Sequence, residues 1–225
     1  MMGFFLKVAG NVKNKNNYCN QVIEKYTDYI VKGNRRLLLT DGLLLREACI
    51  STNAKTIVEI GSMDGGSSLI LGDYARINNG HLFCIEPYLK SRWKGNIENE
   101  KLQEHITMME ASSPHINTVT LQRITNVDRN EIDVLFIDGD HRTSRTIADY
   151  VFWEKYVKIG GIIIFHDYCG GKGVKEWVRS AIKIILDDYE KDLMYLQSSD
   201  QPGKLELFGI SEGGDRGAIA YRKVK

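Results

Sequence analysis

Short apolar runs alternate along the chain with longer stretches in which apolar residues return every three or four positions. The short runs predict strands over Thr56–Ile60, His81–Glu86, Ile106–Glu110, Asp133–Ile137 and Gly161–His166. Each is rich in Val, Ile, Leu or Phe with little alternation, the pattern of interior parallel strands buried on both faces. The longer stretches predict helices over Gln21–Val31, Gly42–Cys49, Ser67–Ile77, Arg142–Val157 and Gly173–Tyr189. In the last, Val174, Trp177, Val178, Ala181, Ile182, Ile185 and Leu186 form one apolar stripe. Strand and helix in alternation predict a doubly wound, mostly parallel α/β sheet. After residue 189 the pattern changes: "DLMYLQSS", "KLELFGI" and "GAIAYRK" are short strand-like runs separated by "DQPG" and "SEGGDRG". Those turn-rich separators predict that an antiparallel hairpin closes the sheet. Residues 1–50 then form a helical cover over one edge, and residues 51–225 a single domain.

Composition narrows the partners. A chain of 225 residues with 43% hydrophobic content suits one compact core. Thirty Lys plus Arg against twenty-nine Asp plus Glu leave a net charge of +1, so no global field draws the chain to nucleic acid or an anionic membrane. A small-molecule partner is expected, and self-association into a homo-oligomer stays open. Cys19, Cys49, Cys84 and Cys169 are far apart and form no CxxC pair, which fits a reducing cytoplasm better than a disulfide scaffold or a zinc site. The opening "MMGFFLKVAG" has too short an apolar run, and too few preceding basic residues, for a secretory signal or a membrane span.

Open α/β sheets bind ligands beyond the carboxyl ends of their strands, so the chemistry is sought there. In "VEIGSMDGGSS", residues 58–68, the first strand runs into Gly61, and Gly65 and Gly66 precede a helix. Glycines let the backbone turn sharply and approach a ligand, and the free N–H groups of the helix start favour an anionic group. The same glycines also serve an ordinary tight turn with a serine cap. The next strand ends in Glu86, twenty-five residues after Gly61, where an acidic side chain can accept both hydroxyls of a ribose. Farther on, "VLFIDGDH" delivers Asp138, Asp140 and His141, and "GGIIIFHDY" delivers His166 and Asp167 from the neighbouring strand. Two carboxylates and an imidazole in one crevice repel one another unless a cation joins them, and a divalent metal is the simplest one.

The segment Glu59-Ile60-Gly61-Ser62-Met63-Asp64-Gly65 resembles the acidic-x-Gly-x-x-x-Gly motif of the class I S-adenosylmethionine-dependent methyltransferases, which have a Rossmann-like fold. The G-x-G-x-x-G of nicotinamide-binding sites is absent. The resemblance implies that the Glu59–Gly65 motif binds the cofactor, with Gly61, Ser62 and Ser67 at its amino-acid end and Glu86 at its ribose. It also implies that "MMEASSP" sets Ser112 beside the adenine. Asp138-Gly-Asp140-His141 together with His166-Asp167 resembles the metal-dependent O-methyltransferases, and among them the small-molecule and sugar enzymes of macrolide biosynthesis, of the macrocin O-methyltransferase type. The likeness runs from about residue 40 to residue 225.

From that family follow a metal held by Asp138, His166 and Asp167, and His141 as the general base for methylation of a hydroxyl. The family's acidic pair is His166-Asp167 here, which replaces a hard oxygen by nitrogen and shifts the expectation from magnesium toward manganese, iron or a metal-free site with His166 as base. Asp140 either orients His141 or caps the following helix. His105 and His115 belong to no such constellation. Two other readings remain. Asp138-Gly-Asp140 fits the Asp-x-Asp rule of glycosyltransferases that bind a metal–nucleotide-sugar, and the His166 change fits a protein that binds the cofactor without turnover.

Overall fold

The computed structural model describes residues 6–8, 25, 37, 39–113, 116, 131–168, 174–187, 205–211 and 217–224. Among these residues eight strands make one sheet: β1 (Leu6–Val8), β2 (Thr56–Ile60), β3 (His81–Ile85), β4 (Ile106–Met109), β5 (Ile132–Ile137), β6 (Val157–Phe165), β7 (Leu205–Ser211) and β8 (Ile219–Lys223). The helices are α1 (Leu39–Thr52), α2 (Gly66–Ile77), α3 (Ser91–Asn99), α4 (Thr143–Trp153) and α5 (Val174–Asp187). The order across the sheet is β1-β7-β8-β6-β5-β2-β3-β4. Strands β4, β3, β2, β5 and β6 run parallel, whereas β8, β7 and β1 continue the sheet antiparallel.

The five expected central strands and the closing hairpin are therefore present, as is the doubly wound arrangement. Neighbouring residues of one strand enter different cores, because successive side chains point to opposite faces. Ile57, Val134, Phe136, Ile162 and Ile164 pack on one face with Leu44, Leu45, Leu69 and Ile70 of α1 and α2. Val58, Leu135, Ile137, Ile163 and Phe165 pack on the other with Tyr150 and Trp153 of α4 and Val178, Ile182 and Ile185 of α5. All six residues of β5 are buried, as expected of a strand covered on both faces.

The differences have local causes. β6 begins at Val157, before the expected Gly161. Its pairing with β5 jumps from Ile132↔Val157 to Val134↔Ile162, and the extra residues are taken up around Gly160 at φ +86°. This early strand shortens α4, which ends at Trp153 and passes through one 3-10 turn, Glu154–Tyr156. α1 reaches Thr52, farther than Cys49, and stops where Asn53 turns left-handed at φ +49° and the Ala54 N–H returns to the Cys49 carbonyl (2.9 Å). Strand β1 and helix α3 are additions: β1 is three residues long, and α3 shows only Trp93 and Ile97 as buried anchors. The expected helix over 21–31, Lys25 apart, and the expected strand over 192–199 lie outside the described residues. Among the described residues no helix is long and apolar enough to cross a membrane.

Candidate active site

The carboxyl ends of β2, β3, β5 and β6 share one side of the sheet, and the connections leaving them form the site. After β2 the chain turns through Gly61 at φ +85° and Gly65 at φ +91°. Gly61 is obligatory on two counts. Its φ lies in the left-handed region, and a Cβ there would stand 2.2 Å from the carbonyl oxygen of Asp138. Backbone hydrogen bonds fix this approach, from Gly61 N–H to the Ile85 carbonyl (2.9 Å) and from Asp138 N–H to the Ile60 carbonyl (2.8 Å). α2 then starts at Gly66 with no side chain capping its first N–H groups, and around Gly66 a Cβ would meet nothing within 4 Å. An open, uncapped helix start suits an anionic group.

Glu59 lies beneath this loop, fully buried. Its carboxylate accepts hydrogen bonds from the hydroxyls of Ser62 (3.0 Å), Ser67 and Ser68 and from the Cys84 thiol (3.1 Å). Burial raises its pKa, opposed by these four donors. The indole N–H of Trp93 donates to Ser68 (3.0 Å), which ties α3 to the same knot. The motif's acidic residue thus braces the loop from below, and the hydroxyls of Ser62 and Ser67 are directed at it. The loop is left to meet a ligand with its backbone.

Glu86 follows β3 at the rim. One carboxylate oxygen accepts the Met63 N–H (3.2 Å) and the other the Tyr88 N–H (3.0 Å), so the side chain is held across the mouth of the glycine turn. Ser112 follows β4 and is exposed. Its neighbour Ser113 is the fixed one, donating to Asp149 (2.7 Å) and accepting from the Trp153 indole (2.9 Å). His115 lies outside the described residues.

At the ends of β5 and β6 the structure brings together Asp138, His141, His166 and Asp167. His141 Nε2 lies 3.3 Å from Asp138 Oδ1 and 3.1 Å from Asp167 Oδ2. His166, which is only 2% exposed, sets Nδ1 3.0 Å from Asp138 Oδ1 and Nε2 3.1 Å from Asp41 Oδ2. Asp41 belongs to α1, is fully buried, and accepts a further hydrogen bond from the Ser211 hydroxyl at the end of β7. Asp167 is held at φ +55°, an unusual conformation for a residue other than glycine, and this conformation is the one seen with its carboxylate beside His141.

The charges sort themselves by neighbour. Burial would push Asp138 up, but the charge of His166 and the hydrogen bonds from His141 and His166 outweigh it and hold the pKa at about 2. Burial would likewise favour neutral His166. The charge of Asp138, the hydrogen bonds to Asp138 and Asp41 and the nearby Asp167 carboxylate reverse that and raise its pKa well above the ordinary histidine range. His141 is raised by its hydrogen bond to Asp138, against the opposing effect of burial. Asp167 is pushed up by burial and brought below the usual range chiefly by His166.

This geometry redistributes the roles expected from sequence. Asp138, His141 and Asp167 each offer a donor atom within 4.8 Å of the others, a group able to hold a metal ion. Among the described residues His166 is not one of that group; its ring nitrogens face Asp138 and Asp41. Asp140 takes no part. It is exposed, pairs with the Arg142 guanidinium (Nε–Oδ1 2.9 Å) and accepts the Arg142 N–H (3.1 Å), forming a turn just before α4. Asp138 and Asp140 therefore diverge, and they do not form the paired carboxylates that the Asp-x-Asp reading needs. Asp41 is an addition that the strand ends do not point to. Its one sequence signal is a charge inside the apolar run "LLLTDGLLL".

Residues 58–168 match the model of a methyltransferase domain family. An uncharacterized protein, R132, of Acanthamoeba polyphaga mimivirus is 32% identical over 143 residues, which take in 59% of this chain and 60% of that protein, under two thirds of its length. Among solved structures, an O-methyltransferase from Bacillus cereus in complex with SAH superposes with a TM-score of 0.59 at 17% identity, over 94% of this chain and 93% of that one. The O-methyltransferase TomG of Streptomyces achromogenes, involved in tomaymycin synthesis and solved with SAM, gives a TM-score of 0.59 at 14% identity, over 96% and 92%. At those identities the structural likeness speaks for the fold.

Proposed function

We propose that the chain is a class I S-adenosylmethionine-dependent methyltransferase, a reading that the match of residues 58–168 to a methyltransferase domain supports, and that it methylates a hydroxyl of a small molecule of sugar or secondary-metabolite type, as the macrocin-type enzymes do. One observation carries the reading: the glycine turn that would cradle the cofactor is in backbone contact with Asp138, so cradle and acid–histidine cluster are one site. Bound there, S-adenosylmethionine supplies a methyl group already activated by its sulfonium. The protein must then align the acceptor and accept its proton. Glu86 is set to receive the ribose hydroxyls, and the uncapped start of α2 the carboxylate of the amino-acid end.

His141 is the base. With Nε2–H directed at Asp138 and Asp167, its Nδ1 keeps a lone pair, and the two carboxylates stabilise the imidazolium that forms when the acceptor's proton arrives. The two carboxylates also suit a divalent ion, which when bound would lower the pKa of an acceptor hydroxyl. With His141 kept as the base, the ion would be held by the carboxylate oxygens of Asp138 and Asp167, hard donors that suit magnesium or manganese.

Two expected results follow. Calorimetry should show S-adenosylmethionine binding to the parent chain and binding weakened by about 1.5–3 kcal/mol in Glu86→Ala, the usual range for a hydrogen bond to a charged group. Preference for a nucleotide sugar, or an indifferent Glu86→Ala, would defeat the assignment. Elemental analysis of protein purified without chelator and supplied with manganese should find bound metal. Retention of that metal in His141→Ala would mark Asp138 and Asp167 as its holders and leave His141 to be the base. No metal at any manganese or magnesium concentration would remove the ion from the proposal.

A further inference from the structure

The five acidic and imidazole groups form a line running inward from solvent: His141, Asp138, His166, Asp41, with Asp167 alongside. Asp138 is fixed from two sides, by His141 at the mouth and by His166 behind it. His166 in turn has one contact on its far side, Asp41, a fully buried carboxylate on a helix before the first central strand. Asp41 is held by the Ser211 hydroxyl, and Ser211 is itself fixed, accepting the Ala218 N–H (2.7 Å) and donating its own N–H to the Ala218 carbonyl (2.9 Å). The ring of Phe136 meets that of His166 edge-on at 5.9 Å, which limits its tilt.

We infer that Asp41 is a positioning residue for methyl transfer: through His166 it fixes the orientation of Asp138, and so the reach of the His141 base. The inference rests on the reading of this site as a methyltransferase centre. It makes α1 and the β7–β8 hairpin part of the reacting site, joined across 125 and 170 positions of sequence by the His166–Asp41 and Ser211–Asp41 contacts. The physical argument is that of any outer partner of a reacting group. A buried imidazole held at one nitrogen only can pivot, and Asp138 pivots with it, whereas an imidazole held at both cannot. Removing such a partner commonly lowers activity about 10- to 100-fold.

The experiment compares Asp41→Ala and Asp41→Asn with the parent, by steady-state kinetics on an accepted hydroxyl compound and by the slowly exchanging ring N–H signals of His166 in NMR. Asp41→Ala should lose the Nε2–H signal and lower kcat about 10- to 100-fold, with cofactor affinity within about twofold, because the glycine turn and Glu86 are untouched. Asn can still accept from Nε2–H, so Asp41→Asn should regain most of the rate. If Asp41→Ala does not fold, Ser211→Ala serves instead, leaving Asp41 in place without its Ser211 hydrogen bond, with a smaller loss of kcat in the same direction. An unchanged kcat in a folded variant that has lost the Nε2–H signal would overturn the inference, as would no rescue by Asn. If the parent methylates no acceptor, the proposed activity fails, and the ring signals judge the contact itself: unaltered in Asp41→Ala, they overturn it.

Discussion

His141→Ala is expected to lower kcat by a factor of about 100 to 10,000 while leaving cofactor binding nearly intact, the usual result of removing a general base. The reason lies in where the imidazole stands. Nε2 is shared by Asp138 at 3.3 Å and Asp167 at 3.1 Å, so the ring is oriented and its protonated form is favoured, but no hydrogen bond joins it to the glycine turn or to Glu86. The pH dependence has a definite sign. A base must be deprotonated to act, and the hydrogen bond to Asp138 raises the pKa of His141 above 6.5. The parent's rate should therefore rise with pH through a value above 6.5, and the rise should vanish in His141→Ala. Near-full activity of that variant would move the base elsewhere.

Gly61→Ala is expected to be the most destabilising of the conservative changes around the site. Left-handed backbone costs a residue with a Cβ about 1–2 kcal/mol. Here the added methyl would also stand 2.2 Å from the Asp138 carbonyl oxygen, and a backbone atom cannot turn aside as a side chain can. Adding about 1–3 kcal/mol for overpacking gives a loss of roughly 2–5 kcal/mol, a large share of a domain's stability. Gly66→Ala is the contrast, since it has open space and no left-handed φ. It should stay within about 1 kcal/mol of the parent and can gain from a less flexible unfolded chain. Urea melts of both variants decide the matter. Equal stability of Gly61→Ala and parent would mean that turn and cluster are not in contact, and the one-site argument would fall with it.

The parts of the fold that could be read from the sequence are those with dense apolar signals. β2 is legible residue for residue, and β3 and β5 to within one, because fully buried strands are written as nearly unbroken Val, Ile, Leu and Phe. The hairpin β7–β8 was marked by its turn residues. β1 and α3 left no such mark: three residues carry no period, and Trp93 and Ile97 alone make a stripe too thin to recognise in "SRWKGNIEN". β6 starts earlier than the Gly161 its sequence suggests, because Gly160 and Gly161 lie at an irregularity inside the strand.

For the site, the strand-end rule points to Gly61, Glu86, Asp138, His141, His166 and Asp167, and the structure sets Gly61 against Asp138 and the four acid and histidine residues together. Sequence could not show which way each side chain turns. Ser62 and Ser67 face inward to Glu59, His166 faces Asp41, and Asp140 faces Arg142. Those choices depend on partners that are distant in sequence or on competition among nearby donors, and neither leaves a spacing to read.

The most direct test of the account is to incubate the protein with S-adenosylmethionine labelled in its methyl group and a panel of hydroxylated small molecules, and to follow both products by mass spectrometry. The expected product is a labelled methyl ether on the acceptor oxygen, matched one for one by S-adenosylhomocysteine and lost in His141→Ala. S-adenosylmethionine bound but never consumed, with every acceptor unchanged and manganese present, would contradict the proposed activity and leave a cofactor-binding protein without methyl transfer.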